Sequence, residues 1–182
     1  MSGSKEEKQN KKLKPEEILK ILREAGNVSR CHTIPYSGSY TIAQHCYGAV
    51  SILLLLHPKP SVNLVKAVMW HDVHERYLGD VPAPALWSDG EFAKLYDRLA
   101  ERINKTCGIH SNLNIIERMW LNAVDKMDLL FWAQEQLGMG NHNAAAICGN
   151  LASWFKNNKI PTQCVEMVSN YNFTRGADEL PG

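Results

Sequence analysis

Apolar residues recur at spacings of three and four through most of the chain, the period of helices with one buried face. The first such segment, PEEILKILREAG, opens on Pro15, which suits a first helical turn. Glu16 and Glu17 follow near the positive end of the helix dipole, and Gly26 stops it. NVSRCHTIPYSGSY, with a proline, a glycine and serines, reads as an irregular loop leading into TIAQHCYGAVSILLLLHP, for which Thr41 is the natural N-cap. A third helix is expected from Ser61 to Gly79, SVNLVKAVMWHDVHERYLG, after which the two prolines of DVPAP forbid continuation. GEFAKLYDRLAERINKTCG places Phe92, Leu95, Leu99 and Ile103 in one stripe, and NLNIIERMWLNAVDKMDLLFWAQEQLG is the longest periodic segment. NAAAICGNLASWFKNN and TQCVEMVSNYN read as two further helices. No stretch alternates with period two, and no internal repeat is found. The pattern predicts an all-α, single-domain bundle of about six to eight helices.

Composition narrows the class. The 182 residues, 45% of them hydrophobic, can bury one sizeable core. Twenty Lys and Arg against nineteen Asp and Glu leave no broad basic face, so a nucleic-acid polymer is not the expected partner. The five cysteines are odd in number, scattered and free of any CxxC pair, which points to a reducing, cytoplasmic setting. Residues 1–13 are polar and lysine-rich and read as a solvated tail, with the domain spanning 14–182. The longest apolar run, AVSILLLL, falls far short of the roughly 20 residues that cross a bilayer, so no membrane partner is expected.

The unusual feature is HDVHERYLGDVPAP, beginning at His71, where an apolar run turns abruptly ionisable. Val68, His71, Asp72 and Glu75 stand at offsets of zero, three, four and seven, one face of a helix. Burying such a face bare costs several kcal/mol per charged group, so a compensating cation is a physical expectation. Two other apolar helices offer partners. His45 shares a face with Ala49 and Ile52, and Asp125 interrupts a face carrying Leu121, Leu129 and Trp132. Two imidazoles and two carboxylates suit Co, Mn, Zn, Fe or Ni better than Mg or Ca. Taken singly, each has a plainer reading: His45 a hydrogen-bonded core histidine, Asp125 an ion-paired acid, His71 and Asp72 a helix-terminal pair. Asp128, three residues past Asp125, competes with it as a ligand. His74 and Arg76 project from other faces and read as solvated or ion-paired; His32, His57, His110 and His142 have no acidic cluster beside them; the five tryptophans read mostly as core.

His45, His71-Asp72 and Asp125 together resemble the H...HD...D pattern of the HD-domain phosphohydrolases. RCH at Arg30, TIAQH ending in His45, HDVHERYLGDVPAP and AVDKMDLLFWAQEQL resemble, in order and largely in spacing, the bacterial HD-domain 5'-deoxynucleotidases and related phage dATP hydrolases. The resemblance covers residues from about 15 to 140. It implies that His45, His71, Asp72 and Asp125 hold one divalent transition metal, with a second divalent ion arriving with substrate. Glu75 would orient or deprotonate the attacking water, Asp80 would be a second acid near the scissile phosphate or sugar, and Arg30 would grip the phosphate with its planar, always-charged fork. Lys126 is a candidate for a further phosphate contact, with a plain surface lysine as the equal alternative, and Cys31 stands where those relatives carry a tryptophan against the base. Thr33, Ile34, Pro82 and Pro84 lie on the two loops expected to flank the base. The implied substrate is a deoxynucleoside 5'-phosphate, mono- or triphosphate, and by analogy the chain is a homo-oligomer. Two alternatives stay open: an HD hydrolase of another phosphoester such as a cyclic nucleotide or an alarmone, and a non-catalytic HD module that binds a nucleotide.

Overall fold

The computed structural model describes residues 13–109 and 112–171. The tail expected over residues 1–13 lies outside them except for Leu13, which packs beside Ile21, Ala25 and Val73. Among the described residues nine α-helices follow in order: α1 Pro15–Ala25, α2 Ile42–Leu56, α3 Val62–Trp70, α4 Glu75–Leu78, α5 Ala83–Ser88, α6 Gly90–Thr106, α7 Ile115–Gly138, α8 Ala145–Asn157 and α9 Thr162–Asn170. Two of them, α4 and α5, are single-turn pieces of four and six residues, and a 3₁₀ turn, His142–Ala144, leads into α8. Among the described residues there is no strand, only an isolated antiparallel bridge from Ser29 to Thr41 that closes the loop between α1 and α2. The all-α bundle expected from the periodicity is the fold found, and no helix among the described residues is long and apolar enough to cross a membrane.

Local sequence sets the helix starts. Thr41 caps α2 by accepting from Gln44 N, while the Gln44 side chain accepts from Thr41 N at 2.8 Å, a reciprocal box that satisfies two orphan donors. Ser61 Oγ accepts from Leu64 N at 3.0 Å to open α3, and Asn114 Oδ1 accepts from Ile116 N and Glu117 N, both at 2.9 Å, to open α7. The core is the seam of α2, α3 and α7: Ala49, Val50 and Leu53 meet Leu64 and Val68, and both meet Trp120, Ala123, Val124 and Met127, with Cys164 of α9 closing one side. That seam positions the ionisable residues. His45 lies one turn before Ala49, His71 three residues after Val68, and Asp125 immediately after Val124, so this buried core runs directly into them.

Two details depart from the periodicity. The helix expected over 61–79 ends at Trp70 and resumes at Glu75. Val68 O, which in a continuing helix accepts from Asp72 N–H, accepts instead from His71 Nδ1 at 2.9 Å, and His71 O is taken by His74 Nδ1 at 3.1 Å. The backbone tightens to three-residue bonds, Val73 N to Trp70 O and Glu75 N to Asp72 O. The α6 stripe is also only half used: Ile103 packs near Ile21, but Phe92 and Leu95 are 40% and 45% exposed, because the first part of α6 lies against short α5 rather than the main seam. Trp87 on α5 is exposed too, unlike the buried Trp120 and Trp132.

Leu53 has no solvent exposure. Leu53→Ala is expected to lower stability by about 2–5 kcal/mol through lost burial and a residual cavity, read as a shift in the urea unfolding midpoint at unchanged slope.

Candidate metal centre

Helices α2 and α7 and the tight turn that follows α3 bring four donor atoms together. His45 Nε2 lies 3.2 Å from His71 Nε2, 3.7 Å from Asp72 Oδ2 and 3.2 Å from Asp125 Oδ1. His71 Nε2 lies 3.3 Å from Asp72 Oδ2 and 3.5 Å from Asp125 Oδ1. Four donors arranged tetrahedrally at the usual zinc distances are about 3.4 Å apart, so the spacings fit a single divalent ion. The break after Trp70 is what lets His71 and its neighbour Asp72 both reach this point; on an unbroken helix adjacent side chains diverge by about 100°.

The protonation pattern of the donors is set from behind. Val68 O can only accept, so His71 Nδ1 carries the hydrogen and its Nε2 presents a lone pair to the cluster. On His45 it is again Nδ1 that faces an acceptor, Asp128 Oδ2 at 2.7 Å, leaving Nε2 for the cluster. With both imidazoles neutral, the centre is four electron-pair donors with no hydrogen among them, which repel unless a cation joins them. Without a metal, protons fill that role. Burial works against a charged His71, but Asp72 and Asp125 outweigh it and raise the imidazole well above its ordinary range. Burial would likewise raise Asp72 and Asp125; the histidines, with Arg30 beside Asp72 and Lys126 beside Asp125, hold both carboxyls well below their ordinary range.

Around the four donors the other sequence-selected residues take distinct places. Arg30, buried between α1 and α2, pairs through Nη1 with Asp72 Oδ2 and lies 3.7 Å from Glu75 Oε1. Its Nε and the second oxygen of Glu75, Oε2, are buried without a hydrogen-bond partner among the described residues. Burial first, and then the neighbouring Asp72 charge, push the Glu75 carboxyl up to about 9. Lys126 Nζ sits 3.4 Å from Asp125 Oδ2 and 4.8 Å over the Trp154 ring. Asp80 is not among the four donors: its Oδ2 accepts from Cys31 N at 2.8 Å, with His32 Nδ1 at 3.5 Å. That bond joins the two loops expected to flank a base and holds Cys31 at φ 54°, the left-handed region that a non-glycine residue enters only when held there. Cys31, Ile34 and Pro82 are half-buried, and Thr33 and Pro84 are exposed, Pro84 in the first turn of α5.

Several contributors were not selected from sequence. His74, expected to be solvated or ion-paired, is buried, with Nδ1 on His71 O and Nε2 3.1 Å from the Tyr96 hydroxyl; burial lowers its pKa. One donor atom each from Asp72, His74 and Glu75 lie within 4.8 Å of one another, but both His74 nitrogens are already engaged. Arg76 is ion-paired, with Glu24 of α1. Tyr40, buried and stacked 4.6 Å from Trp132, donates its hydroxyl to Asp128 Oδ2 at 2.7 Å. Asp128, weighed from sequence as a rival ligand to Asp125, turns away from the four donors to the opposite nitrogen of His45. Gln136, also buried, accepts from Ser37 N and donates to Ser37 O, each at 3.0 Å, clamping the far end of the loop that begins at Arg30. A glutamine at helical spacing from the apolar Trp132 and Ala133 is the only hint of it in the sequence.

No protein-family model and no curated protein matches the sequence. Solved structures do. The PH0347 protein of Pyrococcus horikoshii superposes with a TM-score of 0.64 at 15% identity, over 84% of this chain and 95% of that one. An HD phosphohydrolase of cyanophage S-2L, DatZ, bound to dA and one catalytic Zn2+ ion, gives 0.65 at 13% identity over 82% and 91%. An HD-domain phosphohydrolase from Listeria innocua gives 0.57 at 16% identity over 85% and 84%. The fold is that of the HD-domain phosphohydrolases. Within this HD fold, the residues that carry the resemblance in the sequence, His45, His71, Asp72 and Asp125, are the four that the helices bring together.

This crowding predicts a pH signature for the metal-free protein. A carboxyl whose folded pKa is raised stays protonated in the fold while the unfolded chain loses its proton, so Glu75 subtracts stability as pH rises from its unfolded value, about 4.3, toward about 9. The raised His71 subtracts further above its unfolded value of about 6.5. Glu75→Gln is expected to remove the part of the decline that starts near pH 4.3 and leave the part above pH 6.5, measured by urea unfolding of metal-stripped protein across about pH 4 to 9.

Proposed function

We propose that the chain is a divalent-metal-dependent phosphohydrolase acting on deoxynucleoside 5'-phosphates. The observation that carries this reading is the convergence of His45 Nε2, His71 Nε2, Asp72 Oδ2 and Asp125 Oδ1 beside the buried guanidinium of Arg30. The cyanophage HD phosphohydrolase that shares the fold, bound to dA, supports the deoxynucleotide class, as does the run of motifs from Arg30 to Asp125. Mixed imidazole and carboxylate donors favour a transition metal over magnesium or calcium.

A divalent ion held by these four residues supplies Lewis-acid polarisation of a phosphoryl oxygen and a lowered pKa for water. The rest of the chemistry falls to side chains of the chain itself. Arg30 binds the phosphate with charge-assisted hydrogen bonds, exchanging its pairing with Asp72 for the substrate oxygens. Lys126, kept beside Asp125 by its own ion pair and by the Trp154 ring, adds positive charge on the same side. Glu75 is the proton-handling group: Oε2 has no hydrogen-bond partner among the described residues, and the raised pKa keeps a proton on the carboxyl near neutrality in the metal-free chain. Asp80 and Gln136 hold the two ends of the Arg30 loop, so the arginine is presented from an ordered segment.

Phosphate release from the four dNMPs and four dNTPs, with Co, Mn, Mg or Zn supplied, tests the reading. Wild type is expected to release phosphate only with metal, and Asp72→Ala to fall below about one-hundredth of that rate. Arg30→Lys is expected to raise KM about tenfold with a smaller effect on kcat, since a point charge replaces a two-pronged donor. Release that survives Asp72→Ala, or no release from a metal-loaded wild type, contradicts the proposal and favours another phosphoester or a nucleotide-binding module.

A further inference from the structure

Asp128 is not one of the four donors and is hydrogen-bonded to only one of them, His45, yet its carboxylate is held from several sides. Oδ2 accepts two hydrogen bonds, from His45 Nδ1 and from the Tyr40 hydroxyl, each at 2.7 Å. The Tyr40 hydroxyl also lies 3.2 Å from His45 Nδ1, and the Tyr40 ring is fixed by nearly parallel stacking on Trp132, 4.6 Å apart and inclined by 11°. The other oxygen, Oδ1, occupies space that a side chain at residue 48 would fill: a Cβ on Gly48 would stand 1.8 Å from it. Helix α2 therefore carries a glycine one turn after His45 so that a carboxylate of α7 can pass behind the imidazole. The carboxylate borders a small cavity of about 200 Å³ lined in part by Ser39, Gln44 and Glu135, and so keeps a polar side.

We propose that Asp128 is a positioning residue that locks the His45 ring and its Nδ1–H tautomer, turning the Nε2 lone pair toward the other three donors, with Gly48 and Tyr40 holding the carboxylate in place. It rests on the metal-centre reading. A neutral imidazole free to exchange tautomers spends part of its time with Nε2 protonated and unable to ligate; a carboxylate that accepts from Nδ1 removes that state and makes the ligand more basic. The two aspartates that share a face of α7 thus divide one task, Asp125 meeting the ion directly and Asp128 acting through His45.

Two readouts test it without activity. The first is zinc affinity by competition with a chelator. Asp128→Ala is expected to weaken binding about 10- to 100-fold, and Asp128→Asn, whose amide oxygen still accepts from Nδ1, less. Gly48→Ala should weaken binding in the same direction although it changes no ionisable group, because the added methyl displaces the carboxylate. Val50→Ala, a core truncation on the same helix, should leave affinity unchanged and controls for general loosening. The second readout is the His45 tautomer in metal-free protein near pH 8, above the usual imidazole range, from long-range ¹H–¹⁵N correlations. The Nδ1–H form is expected in wild type and a mixture in Asp128→Ala. Zinc affinity of Asp128→Ala within about twofold of wild type, or an Nε2–H tautomer in wild type, overturns the proposal. A wild type that binds no zinc while showing the Nδ1–H form that Asp128→Ala loses overturns the metal centre and leaves the positioning role of Asp128 standing.

Discussion

Two imidazole nitrogens, 3.2 Å apart, each lie 3.2 to 3.7 Å from an oxygen of Asp72 and one of Asp125 at the end of a packed three-helix seam, and these four lone-pair donors are stable together only around a positive charge. Much of the rest of the molecule accommodates that constraint. Helix α3 ends where it does because the His71 and His74 side chains take backbone carbonyls, and the resulting tight turn points both His71 and Asp72 inward. Gly48 gives up its side chain so that Asp128 can stand behind His45. Arg30, Lys126 and the raised His71 are the positive groups that balance the carboxylates in the metal-free chain.

The same crowding separates rigid from adjustable parts. His45 and Asp125 belong to α2 and α7, whose apolar faces are interlocked through Leu53, Val124 and Met127, so their positions are fixed by the core. Arg30 belongs to a loop held at chosen points: the bridge from Ser29 to Thr41, the Cys31 amide on Asp80 and the Gln136 clamp on Ser37. An arginine on a loop anchored to rigid helices can trade one partner for another without disturbing the donors behind it.

Much of this was legible in the sequence, for identifiable reasons. The seven longer helices declare themselves by period and by Pro15, Thr41 and Ser61 at their starts, and His45, His71, Asp72 and Asp125 stand out because an ionisable residue on an otherwise apolar helical face has to be explained. What could not be read is direction. Asp125 and Asp128 are three apart and share a face of α7, so spacing cannot say which meets the ion and which passes behind a ring; the rotation of α7 against α2 at Gly48 decides it. Asp80 lies close to the motif in sequence, yet its Oδ2 holds a loop amide. The break at His71 and the burial of His74 arise from side-chain bonds to carbonyls that override helix periodicity, and Tyr40 and Gln136 act through loop contacts about 90 to 100 residues away along the chain.

On the proposed reading one divalent ion is held by two imidazoles and two carboxylates and by no sulfur, although the buried Cys46 follows His45 directly in the chain. X-ray absorption at the zinc edge of stoichiometrically loaded protein addresses it most directly. A shell of nitrogen and oxygen donors at about 2.0–2.1 Å with the outer-shell scattering of two imidazoles is the predicted result; a sulfur shell at about 2.3 Å, or fewer than two imidazoles, would contradict it.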